Sequence, residues 1–179
     1  VILVLMMLGF MVTDVFSETS TTEQRYPIAD RGELILNIPD SSVSEIGKPS
    51  ENVAPVIMIK PKKGDEYLVL INIILKQEKE SGFYSEPVTQ NLITRDADAL
   101  KDKVLEKELK VEKREGKYFN SYHFFATDHS PKPGDYPYLI RAGVGMGDAF
   151  LSVTILHRTK DSEDINALML MFSEINRVK

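Results

Sequence analysis

The chain reads Tyr118-Phe-Asn-Ser-Tyr-His-Phe-Phe-Ala126, then a polar turn, then Tyr136-Pro-Tyr-Leu-Ile-Arg-Ala-Gly-Val-Gly-Met146, Gly147-Asp148 and Ala149-Phe-Leu-Ser-Val-Thr-Ile-Leu-His157. These are three runs of aromatic and β-branched residues broken by Gly, Pro and Asp, the pattern of consecutive antiparallel strands. Between Tyr138 and Met146 every second residue is apolar (Tyr138, Ile140, Ala142, Val144, Met146), so one strand face points inward. Gly147-Asp148 supplies a two-residue hairpin turn, and Leu151, Val153 and Ile155 continue the inner face on the return strand.

Upstream of this sheet, Leu34, Leu36 and Ile38 alternate until Pro39-Asp40 ends the strand. Ser41 to Asn52 reads as a Ser/Pro/Gly loop. Two strands follow, Ala54–Lys60 and Glu66–Lys76, joined by the turn Pro61-Lys62-Lys63-Gly64-Asp65. The second is apolar at nearly every position, which predicts a central strand covered on both faces, with Asn72 a satisfied polar group within it. After a polar loop from Gln77 to Ser85, a helix is expected from Glu86 to about Leu105. Ser85 would be its N-cap, Pro87 lies in its first turn, and Val88, Leu92, Ala99, Leu100 and Val104 form the apolar face. Leu109 and Val111 alternate with Glu108, Lys110, Glu112 and Lys113, as suits a charged edge strand. A last helix starts at Asp161 or Ser162, with Glu163 and Asp164 in its first turn. Ile165, Leu168, Met169, Phe172 and Ile175 form its buried face, widened by Leu170 and Met171.

The predicted class is therefore α+β: a mainly antiparallel sheet of about six to seven strands, flanked by two helices, in a single domain over 32–179. At 179 residues, with 42% apolar and 27% charged side chains, the chain is long enough to bury one core. A formal charge of −5 without a Lys/Arg cluster argues against nucleic acid or an anionic membrane surface as the main partner. Val1 to Val12 is apolar except for Gly9, and Asp14 stops the run. Residues 1–17 are read as the hydrophobic part of a signal peptide, with Val15 and Ser17 before the cleavage point, and 18–31 as a flexible linker. The location expected is periplasmic or secreted, and a retained anchor over residues 1–16 is the alternative. There is no cysteine, hence no disulfide and no thiolate metal site.

The order of elements, the strand ending Ile38-Pro39-Asp40, the single mid-chain helix and the apolar final helix resemble the PsbP/DcrB-like α-β-α sandwich. Ala126-Thr-Asp-His-Ser-Pro-Lys-Pro-Gly134, continuing to Tyr138 and Gly143, is similar to a segment of exported bacterial members. Where members often carry a Trp after the first strand, this chain has Ser41, Ser42 and Val43. The group consists mostly of binding or accessory proteins, so the resemblance implies an interaction module and no particular chemistry.

Candidate chemistry is sparse. Asp128-His129-Ser130 holds the residue types of a hydrolytic triad, but neighbours in one loop do not converge on one point, and a turn before Pro131 is the simpler reading. His123, His129 and His157 show neither helical pairing nor a carboxylate at ligand spacing. Gly143-Val-Gly-Met-Gly147 precedes a strand and not a helix, so it is no phosphate loop. The best candidate binding surface is Asp128, His129, Lys132, Tyr136, Tyr138 and Arg141, in a loop stiffened by Pro131, Pro133 and Pro137. No catalytic residue, metal ligand or cofactor is assigned. The expected function is a non-enzymatic exported binding or accessory protein that contacts another protein or a small ligand. The alternative is a hydrolase or metal-dependent enzyme using Asp128, His129 and His157.

Overall fold

The computed structural model of the chain describes residues 20–47, 56–76 and 83–178. The signal-peptide or anchor question over residues 1–17 lies outside them, as do 48–52 and 77–82 of the expected loops and the first two residues, 54–55, of the strand expected from Ala54. The elements run β1 (Thr21–Pro27), β2 (Glu33–Pro39), β3 (Ser42–Ile46), β4 (Val56–Pro61), β5 (Tyr67–Leu75), α1 (Glu86–Leu100), β6 (Glu112–Arg114), β7 (Ser121–Thr127), β8 (Tyr138–Gly145), β9 (Ala149–His157), α2 (Glu163–Ser173) and β10 (Asn176–Val178). The large sheet has seven strands in the order β3-β4-β5-β9-β8-β7-β6, all neighbours antiparallel. A separate three-stranded sheet, β1-β2-β10, stands beside it.

The α+β class holds, with a sheet of the expected size and two helices. The alternation in β8 and β9 places their side chains as expected, and Gly147, at φ 76°, turns the hairpin while Met146 N donates to Ala149 O. The 18–31 segment is corrected: it contains β1, paired along its length with β2. Its Thr, Glu, Gln and Arg side chains lie in solvent on an edge strand, so no apolar alternation announces it, and only Tyr26 and then Ile28 reach the core. The expected loop after Asp40 likewise contains β3, paired with β4.

One core joins Leu34, Leu36 and Ile38 of β2 with Ile165, Leu168, Met169 and Phe172 of α2 and with the inner residues of β4, β5, β8 and β9. Met171 belongs to that core, while Leu170 faces solvent. Ser162 caps α2 by accepting from Ile165 N. β10 is latched by Arg177, whose guanidinium donates to Asp148 Oδ1 and, at 3.0 Å, to Met146 O.

The opposite face carries α1. The helix ends at Leu100, before the expected 105, because Val104 and Leu105 leave it to pair with the end of β7: Leu105 N donates to Thr127 O. Ser85 occupies the N-cap position, but its side chain makes no cap hydrogen bond to the helix. The buried line is Thr89, Ile93 and Ala97, rotated from the apolar face read from the sequence, of which Leu92, Leu100 and Val104 stay partly buried against the same core while Val88 and Ala99 are exposed. Gly143 explains the turn: a Cβ there would stand 2.8 Å from Ile93 Cδ1, so the missing side chain makes the notch that receives Ile93. β5 is buried on one face only, through Tyr67, Val69 and Ile71; on its other face Leu68 and Leu70 are half-buried and Ile74 is exposed.

Candidate functional site

The expected binding loop lies between β7 and β8 and is closed by its own polar groups. Asp128 N donates to Pro137 O at 2.8 Å, Ser130 N donates to Asp128 Oδ1 at 2.9 Å, and Lys132 N donates to Asp135 Oδ2 at 3.0 Å. Gly134, at φ 94°, takes the left-handed turn that a side chain would strain. The segment after α1 runs alongside the loop, with Val104 bridged to Asp128 and His129 N donating to Lys103 O at 3.0 Å. Glu106 fastens this crossing by accepting from Thr127 N (2.9 Å) and Thr127 Oγ1 (2.7 Å). Burial pushes the Glu106 carboxyl up, but the Thr127 hydrogen bonds outweigh it and hold the group below the usual range.

Between this crossing and the sheet lies a cavity of about 470 Å³. Its floor is apolar, from Leu100 and Val104 on the helix side and from Ala126, Leu139 and Leu156 on β7, β8 and β9. Asp128, His129 and Tyr136 stand at its rim with Lys103. The arrangement matches a small-ligand site: an apolar body of suitable size with a few polar groups at the mouth.

The other three candidate residues are placed elsewhere. Lys132 is exposed in the loop and does not line the cavity. Tyr138 lies on the other face of the sheet, stacked on His157 at 5.4 Å and 28°. Arg141 is engaged under α1, its Nε donating to Asp96 Oδ2 at 2.7 Å and its Nη1 to Thr154 Oγ1 at 2.9 Å.

Sequence reasoning missed the helix-end residues Leu100, Lys103 and Val104, which enter only because the chain turns back along β7. It also missed Arg158. That side chain donates to Gly134 O and Asp135 O at 3.0 Å, bonds Asp65, and lies 4.7 Å over the Tyr136 ring, so it clamps the loop from outside. Its only sequence signal is a charge immediately after the last residue of a strand.

Of the hydrolytic alternative, Asp128 and His129 share one loop with Ser130 but lack the required geometry. His129 Nδ1 lies 2.9 Å from Ser130 Oγ, but the Asp128 carboxylate accepts from the Ser130 backbone and does not orient the imidazole. His157, on the opposite sheet face, spends Nδ1 on Thr159 O at 2.7 Å. Burial lowers the pKa of His157 and of His123. Among the described residues no three His, Asp or Glu side chains are placed to hold a metal ion, and no helix is long and apolar enough to cross a membrane.

Comparison with solved structures places the architecture. The solution structure of cyanobacterial PsbP (CyanoP) from Synechocystis sp. PCC 6803 superposes with a TM-score of 0.56 at 9% identity, covering 95% of this chain and all of that one. This chain has the PsbP-like fold. A crystal structure from Bacteroides thetaiotaomicron VPI-5482 is similar at a TM-score of 0.52 and 8% identity, covering 82% of this chain and 45% of that chain. No protein-family model and no curated protein matches the sequence. At such identities the PsbP-like likeness concerns the backbone alone, and the cavity rests on this chain's own residues.

Proposed function

We propose that this protein is a non-enzymatic binding module of an exported kind, with its ligand seated in the cavity between the end of α1 and the β7–β8 loop. The observation that carries this reading is the apolar floor of Leu100, Val104, Ala126, Leu139 and Leu156 beneath a rim of Asp128, His129 and Tyr136. A volume of about 470 Å³ suits one small molecule or one bulky side chain of a partner. Tyr136 is the anchor, because Arg158 has already fixed its ring and little freedom is lost on binding. The PsbP-like fold supports an accessory or binding role, and the apolar run Val1–Val12 supports export.

The test is a fragment screen of the full chain by protein-observed NMR. Saturable shifts clustered at Leu100, Val104, Ala126 and Leu156 are expected, with Tyr136→Ala weakening binding about ten-fold, an ordinary hot-spot loss. A screen whose hits leave those residues unmoved, or an unchanged affinity in Tyr136→Ala, removes this cavity from the account. Hydrolysis of model esters by the pure protein, lost in His129→Ala, would overturn the non-enzymatic reading.

A further inference from the structure

A second cavity, of about 340 Å³, lies at the same end of the sheet and has Phe125, Tyr138 and His157 in its wall, with Glu106, Lys160 and Asp161 around it. We propose that it is a separate ligand site, taking a small neutral aromatic ring that carries one O–H or N–H donor, with His157 Nε2 as the acceptor.

Three observations lead there. The first is the state of the imidazole. His157 Nδ1 lies 2.7 Å from Thr159 O, and a carbonyl only accepts, so Nδ1 carries the proton and Nε2 bears a lone pair. His157 is 2% exposed and Nε2 has no partner among the described residues. A buried acceptor left unpaired is uncommon and calls for a reason, and a donor brought to it recovers the cost of its burial. Burial also lowers the pKa of the ring, so at neutral pH Nε2 remains an acceptor.

The second observation is shape. The Tyr138 ring stacks on the imidazole with an interplanar angle of 28°, and Phe125, nearly half exposed, adds another aromatic wall. Flat walls favour a flat guest. The third is charge. Lys160 disfavours a cation, while Asp161 and the Thr127-bonded Glu106 disfavour an anion, which leaves a neutral molecule. Nε2 is sealed from water, so seating the guest requires the exposed members of the cavity wall, Lys160 and Phe125, to turn aside.

The experiment uses phenol against anisole, which has the same ring without the donor, titrated into the full chain with histidine side-chain nitrogens labelled. Phenol is expected to bind saturably at pH 7.5, to shift His157 Nε2 and leave Nδ1 in place, and to bind about ten-fold more tightly than anisole, the factor one neutral hydrogen bond supplies. His157→Phe should abolish that preference; if the variant does not fold, the comparison on the natural chain decides alone. Equal affinities, no saturation by either probe, or an Nε2 resonance that ignores phenol overturns the proposal. Leu156→Trp, which fills the first cavity only, should leave phenol binding unchanged, and loss of binding in that variant would assign the phenol to the first cavity and end the proposal.

Discussion

The two faces of the large sheet are covered in different ways. On one, α2 and the small sheet share a single apolar core with four strands of the large sheet, and Leu34, Leu36, Ile59, Ile71, Leu151, Ile155 and Leu168 are fully buried. On the other, α1 covers β7 and β8, fits closely at Gly143 and Gly145, and gives way past its C-terminal end to the 470 Å³ cavity; Leu68 and Leu70 on β5 stay half-buried and Ile74 is exposed. Burial is more complete on the closed face, and the open face keeps the space proposed above as the first ligand site. A binding site needs unfilled space, and a protein keeps such space where the loss of packing is smallest.

The largest test of this contrast is a pair of truncations. Phe172→Ala, in the closed core, should cost about 3–5 kcal/mol by urea unfolding. Ile74→Ala, on the open face, should fall within about 0.5 kcal/mol of the parent, as surface changes do. Equal losses would show that the two faces are packed alike. Next in size is Gly145→Ala, which probes the tight part of the open face. The added Cβ would stand 2.3 Å from both Thr89 Oγ1 and Tyr84 O, so α1 must shift, at a cost of about 1–3 kcal/mol. An unchanged unfolding midpoint would mean that the N-terminal end of α1 is as loosely seated as its C-terminal end.

Legibility in the sequence followed the same division. The strands of the closed core announce themselves, because one face of β8 and β9 is apolar at every second position and a one-residue slip would expose all of it. β1 stayed hidden because an edge strand held by backbone pairing needs no apolar pattern, and β10, three residues long, is too short to show one. The buried line of α1 was only partly read because Val88 and Ala99 are apolar yet exposed, and the glycines of β8 decide which helix face can approach. For the site, Asp128, His129 and Tyr136 were visible as binding-prone types in a proline-stiffened loop. Leu100, Val104 and Arg158 were not, because pairing across the sheet end brings them there and no local spacing encodes that.

Acid brings out a smaller difference between the faces, since both buried histidines, His123 and His157, project from the closed face of the large sheet. Burial lowers the pKa of each in the folded state, so the unfolded chain binds more protons below about pH 6.5, the ordinary imidazole value. Folded stability should therefore fall as pH drops through 6.5 and level off below the folded pKa values. A second loss follows below the ordinary carboxylate range, as Glu86, held low by Lys113, Asn120 and Tyr122, and Asp40, held low by Ser20 and Thr22, take up protons. His123→Gln with His157→Gln should flatten the upper step in a urea-midpoint series and leave the lower one. An upper step that survives the double substitution would place the acid-sensitive groups elsewhere.

The smallest expected effect concerns the open face itself. Arg158 ties the β7–β8 loop to the rest of the molecule through Gly134 O, Asp135 O, Asp65 and the Tyr136 ring, all near solvent, where such contacts add little to global stability. Arg158→Ala should accordingly leave the unfolding midpoint unchanged within error. Its effect should appear locally, as faster amide exchange at the Asp128 and Asp135 N–H groups that close the loop. If Tyr136 is an anchor because its ring is already held, the same substitution must weaken cavity ligands through added disorder while the cavity lining stays intact. Unaltered exchange together with unaltered affinity would mean that the loop is rigid by its own turns and prolines, and that the clamp is incidental to recognition.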